Sequence, residues 1–119
     1  MQICSNHDLE TRYEYVRGME LEFRESPVTN DIEALASLII FGERVLNEYV
    51  KIIEGSGARV GKDTLKKYDR VIQMADSTDL LSENAKQKDI EQLVFSLRVA
   101  CMSASIQAGR IVKETNNLI

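Results

Sequence analysis

The chain has 119 residues, of which 44% are hydrophobic and 29% are charged, with a single proline and six glycines. These proportions are typical of a globular domain and exclude a largely disordered chain, while the length suits one hydrophobic core. The acidic net charge of −4 excludes a surface that is basic throughout, and the apolar runs are too short for a membrane-spanning helix, which needs about 20 residues.

The first predicted helix covers residues 8–25. Apolar residues recur at helical spacing along one face, at Leu9, Tyr13, Val16, Met19 and Phe23. Pro27 lies just beyond the end of this segment, where proline commonly follows a helix. The residues before the helix, 1–7, show no comparable pattern, and we expect them to be flexible.

The second predicted helix, residues 30–54, has the clearest pattern in the chain. Asn30 followed by Glu33 fits a capping box at its start, and Gly55 follows its end. A heptad seam is formed by Ile32, Leu35, Ile39, Gly42, Leu46, Tyr49 and Ile53, and Leu38, Val45 and Ile52 lie beside it. This wide apolar face predicts a helix that packs against two neighbours in a bundle, and Gly42 on the seam predicts a close helix crossing.

A glycine-rich connection, residues 55–62, precedes the third predicted helix. Its sequence GSGARVGK invites comparison with a phosphate-binding loop, but that motif requires glycine where Ser56 stands, Ser or Thr where Asp63 stands, and a preceding strand. We therefore interpret it as a flexible interhelical loop, with Gly55 suited to a left-handed helix cap. The third helix is predicted from Asp63, as its N-cap, to residue 75 or a little beyond, with Leu65, Tyr68, Ile72 and Ala75 facing inward.

The fourth predicted helix, residues 84–116, carries a stripe of apolar and small side chains. Its members are Ile90, Leu93, Leu97, Cys101, Ala104, Ala108, Ile111 and Thr115. Small residues in the middle of this stripe allow a neighbouring helix to approach closely. That neighbour could belong to the same chain or to a partner protein that docks in a groove, and we favour packing within the chain.

No segment shows the sustained period-two alternation of a strand. The sequence therefore predicts an all-α fold, a four-helix antiparallel bundle that forms a single domain over residues 1–119. Because the second and fourth helices are longer than the other two, their apolar faces are expected to extend beyond the core within the chain. We therefore expect a homo-oligomer, in which homodimerisation completes the bundle.

The sequence contains no recognisable active site. Its single histidine, His7, cannot supply the two histidine ligands of a di-iron bundle. Cys101 lies on the core stripe, where burial raises the pKa of a thiol and suppresses its reactivity. We predict a protein that is not an enzyme and that binds no metal or cofactor, with an active site assembled between subunits as a remaining alternative.

Charge is distributed unevenly along the chain. Residues 55–72 contain five basic residues, Arg59, Lys62, Lys66, Lys67 and Arg70, against two acids, a local net charge of +3. Residues 1–33 contain eight acids and three arginines, a net charge of −5. Opposite charges of this kind can attract each other within one chain or between chains.

The predicted function is a non-catalytic protein-interaction module: an adaptor, an inhibitor of the immunity type or a regulatory partner. The alternative is a nucleic-acid-binding accessory protein that uses the basic patch at residues 59–70. Two cysteines, Cys4 and Cys101, are too few for a disulfide framework, and the first residues, MQICSNHD, lack the features of a secretory signal. The expected location is the cytoplasm, without membrane association.

Overall fold

The computed structural model describes residues 6–28, 31–77 and 87–117. These ranges contain four helices and no strand: α1 (Asn6–Glu25), α2 (Ile32–Gly55), α3 (Lys62–Ser77) and α4 (Gln87–Asn117). The predicted all-α class is confirmed, and the helix ends differ from the predicted ends by at most three residues. Predicted helical residues 30 and 84–86 lie outside the described ranges, as does most of the segment 1–7. None of the four helices is long and apolar enough to cross a membrane.

The four helices form an elongated bundle that measures 55 × 25 × 23 Å. Helices α1, α2 and α4 pack against one another, whereas α3 packs on α4. Consecutive helices are antiparallel: Arg12 of α1 contacts Glu48 near the end of α2, and Met74 near the end of α3 contacts Ser96 near the start of α4. Because α2 and α4 are both antiparallel to α1, they run parallel to each other.

The core lies where α1, α2 and α4 meet, and the inward faces predicted for these three helices are confirmed. Residues with essentially no exposed surface include Val16, Phe23, Leu35, Val45, Leu46, Tyr49, Ile53, Leu93, Leu97, Cys101, Ala104 and Ala108. Their positions follow the 3.6-residue period of a helix, so each long helix contributes one continuous buried stripe.

Gly42 marks the close crossing that the sequence predicts. A Cβ atom at this position would lie 2.5 Å from Cζ of Phe23 and 2.6 Å from Cδ2 of Leu97, so all three helices meet here. The Cys101 thiol donates a weak hydrogen bond to the Gly42 carbonyl oxygen, with a sulfur to oxygen distance of 3.5 Å. The small residues of α4 are buried beside this crossing, which supports packing within the chain as their role.

The predicted inward face of α3 is correct only for Tyr68, which is half-buried and packs against the core, whereas Ala75 is exposed. Leu65 and Ile72 are 48% and 42% exposed, whereas Thr64 and Val71 are buried. The reason is that α3 packs closely on α4, whereas a cleft lined by Leu65 and Tyr68 separates it from α2. Thr64 is buried, and its hydroxyl shares a hydrogen bond of 2.7 Å with the Ser103 hydroxyl.

The helix ends also correct three sequence predictions. The N-cap of α2 is Asp31, whose carboxylate accepts a hydrogen bond from the Glu33 amide at 3.1 Å, one residue after the predicted Asn30. Gly55 is the last residue of α2, and the left-handed conformation belongs to Gly57, with φ +88°. Asp63 lies inside the first turn of α3, which begins at Lys62.

Glu20 is a buried carboxyl group that its sequence position did not reveal. It accepts a hydrogen bond of 2.6 Å from the Tyr49 hydroxyl inside the core. Burial, together with this bond, raises the pKa of Tyr49. The pair satisfies two polar groups that would be costly to bury alone, at about 1 to 3 kcal/mol each.

Arg98 fastens the end of α1 to α4. Its guanidinium donates hydrogen bonds to the carbonyl oxygens of Phe23 at 3.1 Å and Ser26 at 2.6 Å. It also lies over the Phe23 ring, 5.4 Å from the ring centroid. Carbonyl groups at the end of a helix have no partner within the helix, so Arg98 supplies hydrogen-bond donors where α1 stops.

The stability of the fold is expected to fall in alkaline solution, first through Cys101. Burial raises the pKa of its thiol from 9.0 to about 12. Above pH 9 the thiol ionises in the unfolded chain before it ionises in the folded one, and this favours unfolding. The contribution of the thiol to the free energy of unfolding is therefore complete below pH 9 and is lost as the pH rises towards 12.

This prediction is checked by urea denaturation at a series of pH values. Between pH 9 and 10, the free energy of unfolding should fall more steeply with pH for the wild type than for Cys101→Ala. The two slopes should differ by up to about 1.4 kcal/mol per pH unit. Tyr49 adds its own contribution above its ordinary pKa of 10.0. Equal slopes for the two proteins between pH 9 and 10 would show that the thiol is not buried in the folded state.

Candidate interaction surface

A groove between α3 and α4 is the most distinctive surface of the described chain. It consists of two adjoining cavities of about 550 and 560 Å³, which share Asp63, Lys67 and Val99. The groove, called the α3–α4 groove below, is lined by Gly61, Asp63, Thr64, Lys66, Lys67, Arg70 and Met74 on one side and by Gln92, Phe95, Ser96, Val99, Met102, Ser103, Ile106, Gln107 and Arg110 on the other.

Its floor is an apolar stripe on α4. Phe95, Met102 and Ile106 are 67%, 43% and 56% exposed, and Val99 is half-buried between them. Steps of four, three and four residues place these side chains on one face of the helix. This face is separate from the core stripe of Leu93, Leu97, Cys101, Ala104 and Ala108, so α4 is apolar on two faces.

The walls of the groove are basic. Lys66, Lys67 and Arg70 come from α3, and Arg110 comes from α4. Asp63 is the only carboxylate among the lining residues. Four cations against one carboxylate give the groove a net charge of +3, although the whole chain is acidic.

Asp63 is held in place by its neighbours. Its carboxylate accepts hydrogen bonds from the Lys67 ammonium at 2.6 Å and from the Ser103 hydroxyl at 3.1 Å. The hydrogen bond from Lys67 is the main cause of a lowered pKa for Asp63. The exposed cations Lys66 and Arg70 are one helical turn apart and define the outer edge of the wall.

Polar contacts fix α3 and the preceding loop to α4. The Gln107 side chain accepts a hydrogen bond from the Gly61 amide at 2.8 Å and donates one to the Arg59 carbonyl at 2.7 Å. Thr64 and Ser103 join the two helices one turn further along. The groove is therefore built by defined contacts between its two walls, and the loop predicted to be flexible is tied to α4.

The structure divides the five basic residues singled out in the sequence. Lys66, Lys67 and Arg70 line the α3–α4 groove. Arg59 instead lines a smaller cleft of about 420 Å³ between α2 and α3, and Lys62 is exposed but lines neither cavity. Three of the five basic residues therefore share the α3–α4 groove, whereas Arg59 belongs to a different cavity.

Sequence reasoning missed the α4 side of the groove: Phe95, Val99, Met102, Ile106 and Arg110. The sequence does contain a pattern for this side, because Phe95, Val99, Met102 and Ile106 repeat at heptad spacing beside the core stripe. The spacing alone does not show which of two neighbouring stripes is covered. That depends on where α3 packs.

The acidic and basic segments of the chain do not meet within the described molecule. Helix α1, which has exposed carboxylates at Glu10, Glu14, Glu22 and Glu25, packs against α2 and α4 but not against α3. The charge asymmetry seen in the sequence is therefore not neutralised by an intramolecular contact between these two helices. It remains available at the surface.

The groove presents apolar side chains, basic side chains and one carboxylate. Its lining residues include no histidine or cysteine, and the described residues contain no group of three His, Cys, Asp or Glu side chains that could hold a metal ion. What the groove offers is apolar contact area and cationic hydrogen-bond donors. Comparison of the chain with protein family models, with curated proteins and with solved structures finds no match.

Proposed function

We propose that the chain is a non-catalytic protein-interaction module, an adaptor, inhibitor or regulatory partner, and that it binds through the α3–α4 groove. The observation that carries this proposal is the exposed stripe of Phe95, Met102 and Ile106 on α4. A contiguous apolar surface rimmed by polar groups is typical of a protein-binding site. A single exposed apolar residue such as Ile40 is ordinary.

The composition of the groove favours a protein over a nucleic acid. Binding of unpaired bases relies on aromatic side chains interleaved with cations, whereas the floor here has one aromatic residue, Phe95, and three aliphatic or thioether side chains. Apolar contact with a charged rim is instead the pattern of protein interfaces.

The proposal is tested by comparing two variants with matched exposure. Phe95 in the groove and Ile40 on α2 are 67% and 65% exposed, so Phe95→Glu and Ile40→Glu place the same charge on different surfaces. Each tagged protein is expressed in the cells from which the sequence comes, cross-linked and purified. A specific partner should be recovered with the wild type and with Ile40→Glu, and its recovery should fall about tenfold or more with Phe95→Glu.

Because both residues are exposed, both variants should retain the helical content and thermal unfolding of the wild type. These two measurements confirm that a loss of binding does not reflect misfolding. Recovery of every partner equally by Phe95→Glu and wild type would contradict the proposed function.

A further inference from the structure

We infer that the α3–α4 groove receives an acidic amphipathic helix of another protein, with its apolar residues on the floor and its carboxylates against Lys66, Lys67 and Arg70. This inference rests on the proposed function and adds the chemistry of the partner. It follows from three properties of the groove: its shape, its charge and its relation to the rest of the chain.

The shape of the groove suits a helix. The stripe from Phe95 to Ile106 extends over about 16 Å at 1.5 Å per residue, which is about three helical turns. Its floor consists of side chains, so an extended segment docked there would find few partners for its backbone amides and carbonyls. A helix satisfies these groups internally and presents residues i, i+4, i+7 and i+11 to the floor.

The charge of the groove selects an acidic helix. Lys66, Lys67 and Arg70 lie on the same side of the floor, and Arg110 lies near the end of α4. Asp63 is already bonded to Lys67 and Ser103, which leaves the wall with an excess of positive charge. Carboxylates along one flank of a docked helix would be attracted, and ammonium groups in the same positions would be repelled.

A second copy of this chain fits the groove poorly. A symmetric dimer would bring two walls of like charge together. The outer face of α1 is acidic, but its exposed apolar residues, Tyr15 and Leu21, lie about 120° apart around the helix and form no stripe. The homodimer predicted from the sequence would therefore have to use another surface.

The test uses two synthetic helical peptides of about 18 residues, long enough to hold a stable helix when bound. Both carry leucine at i, i+4, i+7 and i+11. One has glutamate along the flank and the other has lysine at the same positions. Fluorescence anisotropy with the full chain should show that the acidic peptide binds at least about tenfold more tightly, and that the difference shrinks at about 0.5 M salt.

Two variants locate the binding. The Lys66→Glu, Arg70→Glu double variant should reverse the preference between the two peptides. Phe95→Ala should weaken binding of the acidic peptide without altering its salt dependence. Both changes lie at exposed positions, so circular dichroism of each variant should match that of the wild type.

Three outcomes would overturn the inference. The first is equal binding of the two peptides or binding of neither. The second is a salt-sensitive dimer in light scattering that the double variant abolishes, which would assign the groove to a second copy. The third is duplex DNA competing for the groove as strongly as the acidic peptide, which would assign it to a polyanion.

Failure of this inference is distinguishable from failure of the proposed function. If a cellular partner depends on Phe95 but the peptides show no charge preference, the interaction module stands and the acidic helix does not. If no cellular partner depends on Phe95, the proposed function itself fails, whatever the peptides show.

Discussion

The Leu46→Ala variant is expected to lose about 2 to 5 kcal/mol of folding free energy. Leu46 is 1% exposed and lies on the core face of α2. The variant loses the free energy gained by burying the leucine side chain away from water. It also leaves a cavity that the closely packed neighbouring residues fill only in part. Chemical denaturation monitored by circular dichroism measures the loss.

Ile40→Ala is the matched control for Leu46. Both are large aliphatic residues of α2, but Ile40 is 65% exposed. Its truncation should change stability by no more than about 0.5 kcal/mol. A loss below about 0.5 kcal/mol for Leu46→Ala would mean that the buried face of α2 is not the one described.

Gly42→Ala is expected to destabilise the protein by about 1 to 3 kcal/mol, although alanine is the better helix former by about 1 kcal/mol. The new Cβ would lie 2.5 Å from Phe23 and 2.6 Å from Leu97. Both side chains are almost completely buried, so they cannot withdraw without disturbing other contacts of the core. The crossing of α1, α2 and α4 would have to open.

Gly18→Ala makes the same substitution at a position where no other described helix packs closely. Gly18 lies in the middle of α1 and is exposed, and a Cβ added there would meet no other helix of the described chain within 4 Å. Alanine there should stabilise the protein by about 0.5 to 1 kcal/mol, because it restricts the unfolded chain and favours the helix. Opposite signs for the two glycine variants are the expected result, and a stabilising Gly42→Ala would contradict the close crossing.

The core residues Leu46 and Gly42 and the groove residues Phe95, Lys66 and Arg70 lie on different helices. Leu46 and Gly42 act on the core, whereas Phe95, Lys66 and Arg70 lie at exposed positions of the α3–α4 groove. Folding and binding are therefore expected to respond to separate sets of substitutions. Leu46→Ala should lower stability at every pH, while Phe95→Glu should leave stability unchanged and remove a partner.

Much of the fold was predictable because its long helices have regular patterns. In α2, apolar residues alternate in steps of three and four from Leu35 to Ile53, and this local spacing identifies both the helix and its buried face. The same holds for Val16 and Phe23 in α1 and for Leu97 in α4. The close crossing at Gly42 was also predictable, since a glycine on a core stripe removes the side chain where another helix lies.

The face of α3 could not be predicted in this way. Its sequence places apolar residues at Leu65, Tyr68 and Ile72, and also at Val71 and Met74. Either set could be covered, depending on which helix lies beside it. Close packing against α4 buried Val71, while Leu65 and Ile72 remained 48% and 42% exposed.

The candidate site was predictable only in part, for a related reason. Lys66, Lys67 and Arg70 were identified as a basic patch because they are close in sequence, but the apolar floor and Arg110 come from a different helix, distant along the chain. Glu20 likewise looks like any other acid of α1 until Tyr49 is placed beside it at 2.6 Å. Neither relation can be recognised from the spacing of residues along the sequence.

The sequence by itself determined the helices, the buried faces of α1, α2 and α4, and the uneven distribution of charge, because these depend on residues within a few turns of one another. The tertiary structure decided which apolar stripe of α4 is covered and which remains at the surface. Phe95 becomes the floor of a groove because α3 lies beside its stripe without covering it, and a packing relation of that kind exists only once the helices are assembled.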